Sequence, residues 1–180
     1  MKKRCEVRLA GTGGQGVILA GILLAEAAVR DGLNVTQTQS YGPEARAGAS
    51  RAEVVISSDE IDYPKVLQPD ITLCMSQEAC DRYGERIDRS GVLIVDSDFV
   101  SRAPTTRAVR VPLTSVARDV AGRNLMANVV GIGLIVALTG VVSRQALEEA
   151  VRARSPKGTT ELNLRALAAG FEAANRGRIA

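Results

Sequence analysis

The chain predicts an α/β fold of three layers, a mostly parallel sheet with helices on both faces. Three observations carry that expectation. Apolar runs of strand length alternate with apolar runs of helix length through short connections. Aromatic residues make up only 3% of the 180, with no Trp, so the core has to be assembled from Leu, Val, Ile and Ala, side chains suited to a parallel sheet under helices. The first strand-like run turns abruptly into the first helix-like run through Gly11-Thr12-Gly13-Gly14-Gln15-Gly16, which brings backbone N–H groups to a helix N-terminus in the Rossmann-like manner. With 46% hydrophobic residues the chain can bury one sizeable core, and residues 1–180 are expected to form one domain.

Taken in order, Cys5 to Ala10 alternates well enough for a first strand. Val17 to Val29 is apolar over most of a helical surface, the pattern of a helix buried on more than one side, and Asp31-Gly32 supplies a glycine stop. Val35 to Tyr41 alternates strictly and reads as the second strand. A loop of small residues among charges follows, Gly42 to Arg51, and leads into a strand over Ala52 to Ser57. Asp70 to Ser76 is a strand, Gln77 to about Ile87 a short polar helix, Gly91 to Asp96 a strand, and Val109 to Leu113 the last strand. Helices are expected over Ser115 to Ala121, Leu125 to Leu138, Ser143 to Arg152 and Thr160 to Arg176. The stretch Leu125 to Val142 runs eighteen residues without a charge, but its Asn128, Thr139, Gly131, Gly133 and Gly140 mark a buried core helix rather than a membrane span.

Composition excludes several functions. The net charge is +3, yet charges of both signs are interspersed and no Lys/Arg-rich run appears, so nucleic acid is not expected as a partner. There is no histidine, which removes the commonest general base and metal ligand together. Cys5, Cys74 and Cys80 are too few and too widely spaced to hold an iron–sulfur cluster or a zinc ion, and read as small buried thiols, two of them on strands. Their odd number, without a leader-like N-terminal run, leads to the expectation of a reducing cytoplasm and no membrane.

Gly11, Gly13 and Gly16 match G-x-G-x-x-G in its strand–turn–helix setting. A dinucleotide enzyme also wants an acid at the end of the second strand for the ribose. That strand ends Thr38-Gln39-Ser40-Tyr41, without an acid or a substitute arginine, which argues against a stand-alone NAD(P)-dependent oxidoreductase. The glycines also suit close helix–sheet packing, and a nucleotide-sensing domain without catalysis is a further reading. Gln15, a long amide at the mouth of a tight turn, reads as a contact to a ligand or a partner subunit. Arg46 and Arg51, around the second loop, offer guanidinium forks for phosphates. Glu44 and Asp96 could form a carboxylate pair, but Asp96 reads better as a polar strand end and Glu44 as an ion-pair partner of Arg46 or of another chain.

The two loops together, Gly11 to Gly16 and Ser40-Tyr41-Gly42-Pro43-Glu44-Ala45-Arg46-Ala47-Gly48-Ala49, carry a resemblance, with the strand Glu53 to Ser57 and the tail from Lys157 through Asn163 to Phe171. On these residues the chain resembles the gamma subunit of 2-oxoacid:ferredoxin oxidoreductases, the 2-oxoglutarate type most closely, with Ala45-Arg46-Ala47-Gly48 where such proteins more often have Met-Arg-Gly-Gly. The resemblance implies a complex that oxidatively decarboxylates a 2-oxoacid with coenzyme A to acyl-CoA, carbon dioxide and reduced ferredoxin. It implies that thiamine diphosphate, magnesium and iron–sulfur clusters sit on alpha, beta and ferredoxin-like partners, and that this chain supplies no catalytic or metal-binding residue. Gly11, Gly13, Gly14, Gln15, Gly16, Tyr41, Gly42 and Arg46 are then expected to line the wall where coenzyme A enters, both loops lying at the carboxyl ends of neighbouring strands. Isolated, the chain is expected to form a homo-oligomer.

Overall fold

The computed structural model of the chain describes residues 3–40, 49–85 and 90–177. The elements run β1 (Arg4–Thr12), α1 (Val17–Arg30), β2 (Asn34–Ser40), β3 (Ala49–Ser57), β4 (Ile71–Cys74), α2 (Gln77–Tyr83), β5 (Val92–Asp96), β6 (Val109–Val111), α3 (Leu113–Ala121), α4 (Ala127–Thr139), α5 (Arg144–Arg154) and α6 (Thr160–Gly177). Glycines and prolines set the boundaries. Helix α1 stops where Gly32 turns to φ +74°, letting the Leu33 N–H reach back to the Ala28 carbonyl. Gly122 and Gly140 end α3 and α4 in the same left-handed conformation. Pro112, which has no N–H to give a ladder, stops β6 two residues short of the expected Leu113, and the helix begins there instead. Helix α2 ends at Tyr83 rather than near Ile87; residues 86–89 lie outside the described residues.

The six strands form one sheet in the order β2-β3-β1-β4-β5-β6. Strands β1, β4, β5 and β6 pair in parallel, while β3 pairs antiparallel with both β1 and β2. Among the described strands only β3 is reversed, so the mostly parallel direction stands. The two strands carrying the glycine turn and the second loop are not neighbours, contrary to expectation: β3 lies between β1 and β2. The reason is the short 41–48 connection, too short for a crossover helix, which returns the chain to the edge it left and so forces an antiparallel partner.

The sheet has two unlike faces. Val7, Leu9, Ala52, Val54, Ile56, Leu73 and Ile94 point to the main core, under α1, α3, α4, α5 and α6. On the other face, short α2 and the 97–108 connection cover Ala10, Cys74, Leu93 and Val95, beside a buried polar row of Glu6, Arg8, Glu53 and Thr72. The layers are therefore unequal in thickness.

Every residue of α4 from 127 to 136 is buried, which explains its charge-free sequence. A Cβ on Gly133 would stand 2.5 Å from the Leu167 carbonyl oxygen, and one on Gly170 would collide with the Val130 carbonyl, so α4 and α6 cross backbone to backbone. No single helix among the described residues is long and apolar enough to cross a membrane.

Candidate functional site

The turn between β1 and α1 is built by glycines and held by one amide. Gly14 (φ +91°) and Gly16 (φ +72°) take conformations closed to most L-residues. The Gln15 Oε1 accepts from the Thr12 N–H at 2.8 Å, and its Nε2 donates to the Met75 carbonyl at 2.7 Å, just past the end of β4. Gln15 thus fastens the turn across the gap between β1 and β4, where the strand order changes direction and ligand crevices open in α/β sheets. Its two bonds are internal and give Gln15 a stapling role at this position.

The other glycines divide by what surrounds them. Gly11 is packed: a Cβ there would stand 2.5 Å from the Gln15 Oε1. Gly16 is packed against Asn128, whose Nδ2 donates to the Gly16 carbonyl at 3.0 Å. Gly13 and Gly14 are exposed, and a Cβ on either meets nothing within 4 Å. Helix α1 starts without a side-chain cap and without an acid in its first turn, so the positive end of its dipole is not neutralised from within the helix.

Gly14 and Gln15 also line a cleft of 120 Å³ whose other walls include Met75, Phe99, Thr114 and Leu125. Phe99 and Leu125 are 52% and 70% exposed, two large apolar side chains at the mouth of one cleft.

Asp96, at the end of β5, is fully buried. Its Oδ2 accepts from the Thr114 hydroxyl at 2.6 Å and its Oδ1 from the Asp98 N–H at 3.1 Å, tying the end of β5 to the start of α3. Burial pushes the carboxyl above its ordinary range, against the pull of the Thr114 hydroxyl. Those bonds give Asp96 a structural task.

Tyr41, Gly42, Glu44 and Arg46 lie outside the described residues. The strand ends beside them are fixed, however: Ser40 pairs with Arg51, and Ala49 pairs with Thr12. The second loop therefore leaves and re-enters the sheet on the rim where the glycine turn begins.

Sequence reading missed a charged cluster on the thinly covered face. Arg8 and Glu53, both nearly fully buried, pair at 2.7 Å, and the guanidiniums of Arg8 and Arg51 lie 5.6 and 5.4 Å from the centre of the Tyr83 ring. The signal was present in the alternation of β1 and β3, which puts Arg8 and Glu53 on the face opposite Leu9 and Ala52.

Residues 6–173 match the family model described as pyruvate ferredoxin/flavodoxin oxidoreductase. The chain belongs to that family. It is similar to the 2-oxoglutarate synthase subunit KorC of Methanothermobacter thermautotrophicus, 52% identical over 94% of both chains. It is likewise similar to the subunit of that name from Methanocaldococcus jannaschii, 46% identical over 97% of this chain and 96% of that one. Among solved structures, the keto/oxoacid ferredoxin oxidoreductase gamma subunit from Geobacter sulfurreducens superposes with a TM-score of 0.86 at 46% identity, over 96% of this chain and 99% of that one.

Proposed function

We propose that this chain is the single-domain gamma subunit of a cytoplasmic 2-oxoacid:ferredoxin oxidoreductase that converts 2-oxoglutarate, with coenzyme A, to succinyl-CoA, carbon dioxide and reduced ferredoxin. The observation that carries the reading is near full-length similarity to subunits named for 2-oxoglutarate synthase. The chain's own chemistry supports a non-autonomous role. It has no histidine, and among the described residues no group of three or more Cys, Asp or Glu is placed to hold a metal ion. Thiamine diphosphate, magnesium and iron–sulfur clusters then belong to alpha, beta and ferredoxin-like partners.

In this reading the exposed backbone of Gly13 and Gly14, beside the uncapped start of α1, forms a wall of the path taken by coenzyme A, whose phosphates suit N–H donors at a helix start. Gln15, Gly11 and Gly16 hold that wall in shape, and Tyr41, Gly42 and Arg46 extend it from the second loop. Phe99 and Leu125 at the cleft mouth offer the partner an apolar contact.

The test is reconstitution with the partner subunits, following coenzyme A-dependent reduction of ferredoxin by 2-oxoglutarate. Turnover with 2-oxoglutarate that vanishes when this chain is omitted supports the subunit role; binding of adenine nucleotides by a lone homodimer, with no partner captured, overturns it. The wall is tested separately by Gly13→Leu, at a position where an added Cβ meets nothing within 4 Å. A rise of about tenfold or more in the apparent KM for coenzyme A is expected, that factor corresponding to about 1.4 kcal/mol of lost binding. An unchanged KM removes Gly13 from the wall while leaving the subunit role intact.

A further inference from the structure

Two thiols on the thinly covered face take no part in the glycine rim. Cys74 is the last residue of β4, and Cys80 lies on α2, whose start is capped by the Ser76 hydroxyl accepting from the Ala79 N–H at 3.2 Å. This tight reversal brings Cys80 and Cys74 into one buried cluster with Leu93, Val95 and Val100, and neither is in a disulfide. Both are buried, Cys80 at 1% exposure, but Cys80 also lies against the wall of a 340 Å³ cavity lined by Asp81, Glu85, Arg102 and Pro104. Their shared cluster, six residues apart in sequence, and the cavity against Cys80 distinguish this pair from ordinary core thiols.

We propose that Cys74 and Cys80 form an oxidation site that a small hydroperoxide converts to an intramolecular disulfide, with Cys80 reacting first and Cys74 resolving. The local electrostatics suit that division of labour. The hydrogen bond from Cys74 holds the Cys80 thiol below its ordinary range, aided by the Arg110 guanidinium and opposed by burial and Asp81. Arg110 is fixed there by donating to the Val100 carbonyl at 2.6 Å. The same bond and burial push Cys74 up, so it keeps its proton until the second step. In the first step the Cys80 thiolate attacks the terminal peroxide oxygen, the O–O bond breaks, and Cys80 becomes a sulfenic acid as hydroxide or alkoxide leaves and takes up a proton. In the second the Cys74 sulfur attacks the Cys80 sulfur, the S–O bond breaks, and the Cys74 proton leaves with that oxygen as water. The thiols lose two electrons and the peroxide gains them. The bridge would fasten α2, and with it Tyr83 beneath Arg8 and Arg51, to the end of β4.

The probe is hydrogen peroxide on the full chain, followed by denaturation, alkylation and trypsin. Both cysteines fall on one tryptic peptide, residues 66–82, and Cys5 falls on another, residues 5–8. The expected result is a 66–82 peptide about 2 Da lighter and closed to alkylation until reduced, while Cys5 is still alkylated. Cys74→Ser should stop oxidation at a Cys80 sulfenic acid that dimedone traps, and Cys80→Ser should slow oxidation of Cys74 by about tenfold or more. If peroxide leaves both thiols alkylatable, drives Cys80 to sulfinic acid without a bridge, or links either one to Cys5, the proposal is overturned. The wild-type mass decides between these outcomes even if a serine variant fails to fold.

Discussion

Gln15 shows how one side chain decides the shape of the rim. Its amide gives an acceptor to Thr12 and a donor to Met75, and only an amide of that length offers both. Gln15→Glu keeps the acceptor but sets a carboxylate oxygen against the Met75 carbonyl, so it should cost more than Gln15→Ala, itself about 1–3 kcal/mol. Urea unfolding of the two variants reads the difference. Asp96 makes a prediction in pH. Burial raises its folded pKa above the unfolded value of about 4, so between those two values the native state binds more protons than the unfolded state. Stability from the protonated form is therefore complete below pH about 4 and falls as pH rises through the folded pKa. The stability cost of Asp96→Asn, which has no proton to lose, should shrink between pH 4 and pH 7 in denaturant titrations. A cost that grows with pH would show that the charged form is the favoured one.

At the scale of elements, α4 and α6 cross in close backbone contact within the main core. No side chain separates the backbones at Gly133 and Gly170, and neighbouring carbonyls occupy the space a methyl would need. Backbone cannot swing aside as a rotamer can, so Gly170→Ala should destabilise by about 1–3 kcal/mol or more, seen as a lowered Tm. Gly13→Ala, with empty space around it, should leave Tm unchanged. Most elements were legible in the sequence, because glycine stops, Pro112 and apolar periodicity are local signals that survive folding. The polarity of β3 was not legible, since period-two alternation is the same in either direction and a short connection fits either. The buried Arg8–Glu53 pair was hidden for a related reason: charged residues on the second face of a strand look like a solvated edge until α2 is placed over them. The glycine turn was recognised as a site from local sequence, but the partners of Gln15 were not, because Met75 is sixty residues away along the chain.

For the whole molecule, the two faces of the sheet divide the labour. The thick face, with five helices, supplies the core; the rim at the carboxyl ends of β1, β4 and β5 carries the exposed glycines and the apolar pair Phe99 and Leu125. An exposed leucine adds little to folding but much to a desolvated contact. Leu125→Asp should leave urea unfolding of the isolated chain within about 0.5 kcal/mol of wild type and yet reduce co-purification with the proposed partner subunits. Equal recovery of the complex would place the partner elsewhere on the surface. The reversed course of β3 bears on divergence as well. Because the 41–48 segment begins and finishes on one border of the sheet, residues gained or lost within it leave every strand in step with its neighbours, and changes in length between species should collect there.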